Sequence, residues 1–168
     1  MSRPAITFLV RSLDLGGAER QLVELATGLH RSGWRVEVLT FYPNGPLEPD
    51  LRTAGVPIVT LNKRGRWDVI CFWRLARHLR RHVPDIAHGY LSVPNMLLVL
   101  LKSRSRTRVV WGVRASNMDL SHYDWLSRIE FFAAATLSRF ADLVICNSHA
   151  GRAYHVARED FSQAPPLG

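Results

Sequence analysis

Two glycines, Gly16 and Gly17, separate an apolar run from a helical pattern in the segment "RSLDLGGAERQ". Glycines at such a turn leave backbone N–H groups open to a ligand, and the positive end of the helix dipole favours an anion there. The spacing matches neither a dinucleotide-binding fingerprint nor a Walker A loop. A phosphate-binding turn and a tight turn without a ligand are therefore equal alternatives, and Glu19 needs no role beyond complementing the dipole.

Polar residues after later predicted strands are further candidates for chemistry. We expect His88, with Tyr90 just beyond it, at the carboxyl end of a fourth strand, where an isolated histidine is as often structural as functional. Arg114 follows a fifth strand and precedes Ser116 and Asn117. An arginine fork at that position suits a phosphate or a carboxylate.

Asn147 and Ser148 end a sixth predicted strand, and a helix cap without a ligand explains them well. His78 and His82 stand four residues apart on a predicted helix, a spacing that suits a metal ion. No Cys, Asp or Glu nearby in the sequence completes a ligand set, and arginines crowd the segment. We therefore expect no metal and no cofactor.

The elements that position these residues alternate along the chain. Apolar runs predict strands, and spacings of three and four residues, such as Leu22, Leu25 and Ala26, predict the helices between them. The strands are predicted at 5–10, 36–41, 56–61, 85–90, 108–113 and 142–148. This alternation is typical of an α/β fold with a doubly wound parallel sheet, whose ligands bind outside the carboxyl ends of the strands.

Composition agrees with an ordinary globular domain. The chain has 168 residues, of which 47% are hydrophobic and 21% charged. No segment reaches the roughly 18 to 20 apolar residues that span a bilayer, and we interpret the first residues as a first strand and not as a signal peptide. Cys71 and Cys146 lie in apolar stretches, which predicts buried thiols in a reducing cytoplasm.

Charge is distributed unevenly. The net charge is +8, and residues 63–114 hold twelve Lys and Arg against two acids. Such a region either forms a solvated helix face or attracts phosphates, anionic lipid headgroups or nucleic acid. We expect no nucleic-acid binding, because only the high isoelectric point points to it and no nucleic-acid motif is present.

Four segments, in order, resemble one family. They are "LDLGGAERQLVELATGLHRSGWRVEVLTFY", "PDIAHGYL", "VVWGVRASNMDLSHYDWLSRIE" and "FADLVICNSHAGRAYHVAR". Together they are similar to the N-terminal domain of GT-B glycosyltransferases of family 4, the retaining, nucleotide-sugar-dependent type. The resemblance covers residues 5–158. It implies a Rossmann-like, acceptor-side domain over 1–158, a single N-terminal half of a GT-B fold, followed by an irregular tail at 159–168.

The resemblance also implies roles for the candidate residues. Gly16 and Gly17 would lie near the donor phosphates and sugar, and His88 and Tyr90 would stand on the family's His-x-His pattern. Arg114 replaces the histidine that often ends strand five, so the resemblance implies His88 and Arg114 as catalytic residues. The expected substrate-binding residues are Gly16, Gly17, Tyr90, Ser116, Asn117, Asn147 and Ser148.

The expected substrates are a nucleotide-sugar donor, as a co-substrate, and a glycan or lipid-linked acceptor. Family members continue into a donor-binding domain with an E-x7-E pair, which this sequence lacks. We therefore expect a truncated or excised, cytoplasmic glycosyltransferase fragment that is inactive alone. The alternative is a non-catalytic binding module that docks on an anionic membrane, at its inner face through residues 63–114, or on a partner subunit.

Overall fold

The computed structural model describes residues 3–65, 68–102, 106–113, 133–134 and 136–146. Strands and helices alternate in these ranges as the apolar patterns predict. In chain order they are β1 Ala5–Val10, α1 Gly17–Arg31, β2 Arg35–Thr40, α2 Glu48–Thr53, β3 Ile58–Thr60, α3 Val69–His82, β4 Ile86–Tyr90, α4 Ser92–Leu100, β5 Arg108–Val113 and β6 Leu143–Cys146. Between β5 and β6, residues 133–134 and 136–138 are also helical.

The strands form one six-stranded sheet in the order β3-β2-β1-β4-β5-β6. β1 pairs in parallel with β2, so that Ala5 lies opposite Arg35, and β2 pairs in parallel with β3. β5 and β6 are parallel too, with Val110 opposite Leu143. This is the strand order of Rossmann-type folds, which confirms the predicted α/β class.

Two compact units divide the chain, one of residues 1–87 with 104–107 and one of residues 88–103 with 108–168. In the first unit, all of β1 is buried, and α1 packs on β2 and α2. Leu22 and Ala26 face the core as predicted, but Leu25 is 39% exposed. In the second unit, α4 packs on β5, whose Val109, Val110 and Trp111 are buried.

An aspartate anchors the start of a strand in each unit. In the first, the backbone N–H of Ala5 donates to Asp85 Oδ2 at 2.8 Å. In the second, the N–H of Val109 donates to Asp142 Oδ2 at 2.7 Å, and the Lys102 ammonium donates to the same oxygen. Burial alone would raise the pKa of Asp142, but the hydrogen bonds from Lys102 and Val109 lower it overall. Each aspartate fixes the register of a strand by satisfying a backbone N–H at its amino end.

The two cysteines differ in burial. Cys71 is buried, which confirms its prediction, and this burial raises the pKa of its thiol. Cys146 is only half-buried, so the prediction of a buried thiol is wrong there, because Cys146 is the last residue of β6. Among the described residues, no helix is long and apolar enough to cross a membrane.

Candidate functional site

The carboxyl ends of β1, β2 and β3 form a connected edge in the first unit. The N–H groups of Phe41 and Tyr42, just after β2, donate to the carbonyl of Arg11, just after β1, at 3.0 and 3.2 Å. The N–H of Leu47 donates to the carbonyl of Leu13 at 3.0 Å. These hydrogen bonds connect the loop after β2 to the loop that leads into α1.

Gly45 is required for this contact between loops. A Cβ at Gly45 would lie only 2.6 Å from the carbonyl oxygen of Leu13 and 2.8 Å from its Cα. Backbone atoms cannot move aside as the end of a flexible side chain can, so a larger residue would push the loops apart. The buried carboxylate of Glu48 accepts the N–H of Gly45 and fixes the turn further.

The glycine pair occupies the start of α1. Gly16 is the N-cap residue with an extended backbone (φ −102°), and a Cβ there would overlap the carboxylate of Glu19, which folds back over it. At Gly17 a Cβ would meet nothing within 4 Å. Because the N-cap residue is a glycine, it makes no side-chain capping hydrogen bond, and there is open space at Gly17. The first N–H groups of a helix favour an anion, which makes the start of α1 a candidate site for one.

Two cations flank an aromatic ring at the same edge. The guanidinium of Arg11 lies 5.8 Å from the centroid of the Tyr42 ring, and the Lys63 ammonium lies 5.9 Å from it. Together with the start of α1, these groups favour negative charge at this edge. Sequence reasoning missed Arg11 and Tyr42, although their positions directly after β1 and β2 indicate that they lie at the carboxyl ends.

The second unit places His88 differently from the prediction. His88 is the third residue of the five-residue strand β4 and is 3% exposed, so it lies within the strand and not at its end. Tyr90 ends the strand and is fully buried, with its ring centroid 4.8 Å from that of His88. A Cβ at Gly112 of β5 would lie 3.1 Å from His88 Nε2, so this glycine makes room for the imidazole.

Asn95 connects α4 to β5. Its Nδ2 donates to the carbonyl of Gly112 at 3.0 Å, and its Oδ1 accepts the N–H of Gly112 at 3.2 Å. The side chain is almost fully buried, and a Cβ at Gly89 would overlap it. Sequence reasoning missed this residue, and the only signal was an amide within a leucine-rich helix.

The remaining predicted site residues, Arg114, Ser116, Asn117, Asn147 and Ser148, lie outside the described residues. Among the described residues, β5 ends at Val113 and β6 at Cys146. The functional roles of these site residues stay predictions.

An acidic residue does complete a set with the paired histidines, contrary to the expectation from the sequence. Glu37, His78 and His82 each bring a possible ligand atom, and these atoms lie within 4.8 Å of one another. Glu37 is distant in sequence but lies on β2, beside the end of α3. The cluster is near the amino ends of β1 and β2, away from the glycine pair.

We predict that Asn95→Ala lowers the free energy of unfolding by about 2 to 4 kcal/mol, because the buried N–H and C=O of Gly112 both lose a partner. Ser92→Ala on the same helix should change it by no more than about 0.5 kcal/mol. Urea titrations followed by circular dichroism measure both variants. An equal, small effect of the two substitutions would contradict the anchoring role of Asn95.

Solved glycosyltransferase structures share this fold. Anabaena HepE in complex with UDP-glucose superposes with a TM-score of 0.77 at 20% identity, over 97% of this chain and 43% of its own. Sucrose-phosphate synthase from Thermosynechococcus elongatus superposes with a TM-score of 0.75 at 14% identity, over 98% of this chain and 47% of its own. The lipopolysaccharide outer core galactosyltransferase WaaB, in its apo form, superposes with a TM-score of 0.66 at 14% identity, over 92% of this chain and 42% of its own.

The chain thus spans less than half the length of each of these proteins. No curated protein matches the sequence significantly. The sequence profile of Glycosyltransferase Family 4 matches residues 15–165, which is most of the chain and includes the glycine pair and β4. The chain therefore belongs to Glycosyltransferase Family 4.

Proposed function

We propose that the chain forms the acceptor-side part of a retaining glycosyltransferase, which transfers a sugar from a nucleotide-sugar donor to a glycan or lipid-linked acceptor. The observation that carries this proposal is the start of α1, capped by a glycine, together with the cations Arg11 and Lys63 around Tyr42, all after the carboxyl ends of β1 to β3. Structures of HepE with UDP and with UDP-glucose support a nucleotide-sugar donor. The galactosyltransferase WaaB supports a glycan acceptor.

The proposed role of this edge is to stabilise a departing nucleoside diphosphate. Negative charge develops on the leaving phosphate in the transition state, and fixed N–H dipoles and cations stabilise that charge without reorganisation. The start of α1, Arg11 and Lys63 supply such groups. Arg114 is proposed to add a bidentate contact to a phosphate. His88 is proposed as a catalytic residue from the family resemblance, although it is buried within β4 beside Tyr90.

We predict that Gly17→Asp weakens binding of UDP and UDP-glucose about fivefold, or ~1 kcal/mol, because a carboxylate at the helix start repels the phosphates. The variant should fold, since a Cβ at Gly17 meets nothing and an acid suits the first turn. Glu19→Gln should strengthen binding, because it removes the negative charge over Gly16. Isothermal titration calorimetry measures the three affinities.

Gly28→Asp is the matched control, since Gly28 also lies on α1 and has free space for a Cβ. Its effect on affinity should be small because the residue lies in the last turn of the helix. Equal losses in Gly17→Asp and Gly28→Asp, or a loss in Glu19→Gln, would place the phosphates elsewhere.

We also predict that purified residues 1–168 transfer no sugar from a nucleotide donor by themselves. The physical reason is that a single domain supplies one wall of the cleft, and the family resemblance assigns most donor contacts to a second domain. Release of UDP from UDP-glucose in the presence of acceptor glycans measures transfer. Repeated sugar transfer by this polypeptide would contradict the prediction and show that residues 1–168 are sufficient for catalysis.

The outer face of α3 supports a second candidate function, docking on an anionic membrane, with or without catalysis. Val69, Ile70 and Trp73 are 75%, 59% and 55% exposed. Arg77, Arg80 and Arg81 are exposed and continue the same stripe at helical spacing. The guanidinium of Arg77 lies 5.0 Å from the ring centroid of Trp73. An apolar and aromatic segment beside arginines is typical of a helix that lies in a lipid headgroup layer.

We predict that Arg80→Ser with Arg81→Ser weakens binding to phosphatidylglycerol-containing vesicles by about 2 kcal/mol, roughly 30-fold, because each arginine near an anionic surface contributes ~1 kcal/mol. Co-sedimentation measures the affinity. Trp73→Ser should weaken binding at high salt as well, because apolar burial is not screened.

The matched control is Arg20→Ser with Arg31→Ser, which removes the same charge from exposed positions on α1. If this control loses as much binding as the α3 variant, only net charge matters and α3 is not the docking surface. A vesicle affinity that does not change with phosphatidylglycerol content would contradict the membrane proposal.

A further inference from the structure

We propose that Glu37, His78 and His82, here called the His–Glu cluster, bind a divalent transition metal ion, with Zn²⁺ the best match. The bound ion would link the end of α3 to β2, because its ligands come from both elements. This inference concerns the amino-end side of the first unit and does not depend on the transferase proposal.

The geometry of the cluster brings three ligand atoms together. His78 and His82 are one helical turn apart, and their rings stack with centroids 4.1 Å apart and planes 13° apart. His78 Nε2 lies 3.0 and 3.1 Å from the two carboxylate oxygens of Glu37. All three ligand atoms lie within 4.8 Å of one another.

These distances are close to those of a bound metal. Tetrahedral zinc with bonds of about 2.0 to 2.2 Å holds its ligand atoms about 3.4 Å apart. Because His82 is exposed, a rotation of its side chain can close the difference without moving the core. Two imidazoles and one carboxylate are a known zinc donor set, and imidazole ligands favour Zn²⁺ over Mg²⁺ or Ca²⁺.

The surroundings already orient the carboxylate. Thr7 is buried, and its Oγ1 donates to Glu37 Oε1 at 2.6 Å. Such an outer-sphere hydrogen bond is typical of metal-ligating carboxylates. Metal binding replaces the hydrogen bond between His78 Nε2 and Glu37, and the imidazole proton is released to water.

There is also room and a favourable field for a cation. A cavity of about 180 Å³ borders the cluster, with Ala5, Thr7, Pro57 and Pro84 among its lining residues. It has space for a water molecule in a fourth coordination position. His82 is the last residue of α3, and the negative end of a helix dipole favours a cation.

Positive side chains near the cluster oppose the ion weakly. Arg35 borders the cavity, and Arg80 and Arg81 lie next to His82 in sequence. All three are exposed to solvent, where water and salt screen their charge. The anionic Glu37 is instead half-buried and in direct contact with His78, so it dominates the field at the ligand atoms.

The experiment titrates ZnCl₂ into the purified 168-residue chain, with MgCl₂ in a parallel titration. We expect one tightly bound Zn²⁺ per chain and a melting temperature that rises with zinc concentration, since the ion binds the folded state. MgCl₂ should do neither. Co²⁺ should bind with the visible absorption of a low-coordinate site that contains imidazole.

His82→Gln should weaken zinc binding at least about tenfold, because the loss of even an outer-sphere partner costs about that much. His82 is exposed, and the contact between Glu37 and His78 remains, so this variant should fold. Thr7→Val should weaken binding through the orientation of Glu37. His30→Gln on α1 is the matched control and should leave zinc affinity and the Co²⁺ spectrum unchanged.

The proposal is overturned if ZnCl₂ produces neither binding heat nor a shift in melting temperature. It is equally overturned if His82→Gln and His30→Gln bind zinc with the same affinity, which would mean that histidines outside the cluster hold the ion. Loss of the Co²⁺ absorption in His82→Gln alone supports it.

Discussion

The complete burial of β1 constrains the structure around it. All six residues from Ala5 to Val10 are buried, so their backbone groups must pair within the sheet and the chain can leave it only at Arg11. Asp85 anchors the amino end of the strand, and at the carboxyl end Gly45 allows the next loop to pack on Leu13. Between these fixed points α1 must begin at the edge of the sheet. Its first N–H groups therefore face the open space that suits an anion.

In the first unit, groups that favour an anion lie at the carboxyl ends of the parallel strands, and groups that favour a metal cation lie at the amino ends. The carboxyl ends carry the start of α1 and two cations around Tyr42, which favour an anion. The amino ends of β1 and β2 adjoin the His–Glu cluster, whose donors favour a metal cation. One face of α3 carries His78 and His82 next to β2, and another carries the exposed stripe that includes Trp73. A metal ion bound by the His–Glu cluster would therefore leave the exposed stripe of α3 accessible.

Local patterns predicted much of this fold and little of the site. β1 and β5 have the predicted ends because each is a continuous apolar run. β3 is only Ile58–Thr60, since a pattern of apolar residues does not reveal how far the neighbouring strand pairs. The contact between Glu37 and His78 joins residues 41 positions apart, and the clasp of Asn95 on Gly112 joins two elements. Such contacts depend on how elements pack, so no spacing within one element predicts them.

We propose that this chain meets the diphosphate of a nucleotide sugar at the carboxyl-end edge of β1 to β3. Amide chemical-shift mapping by NMR, with UDP-glucose titrated into the isotope-labelled chain, tests this most directly. We expect the largest saturable shifts at the amides of residues 17–19 and around Tyr42, and none at Glu37. Largest shifts at the amino ends of the strands, or no saturable shift at the start of α1, would contradict it.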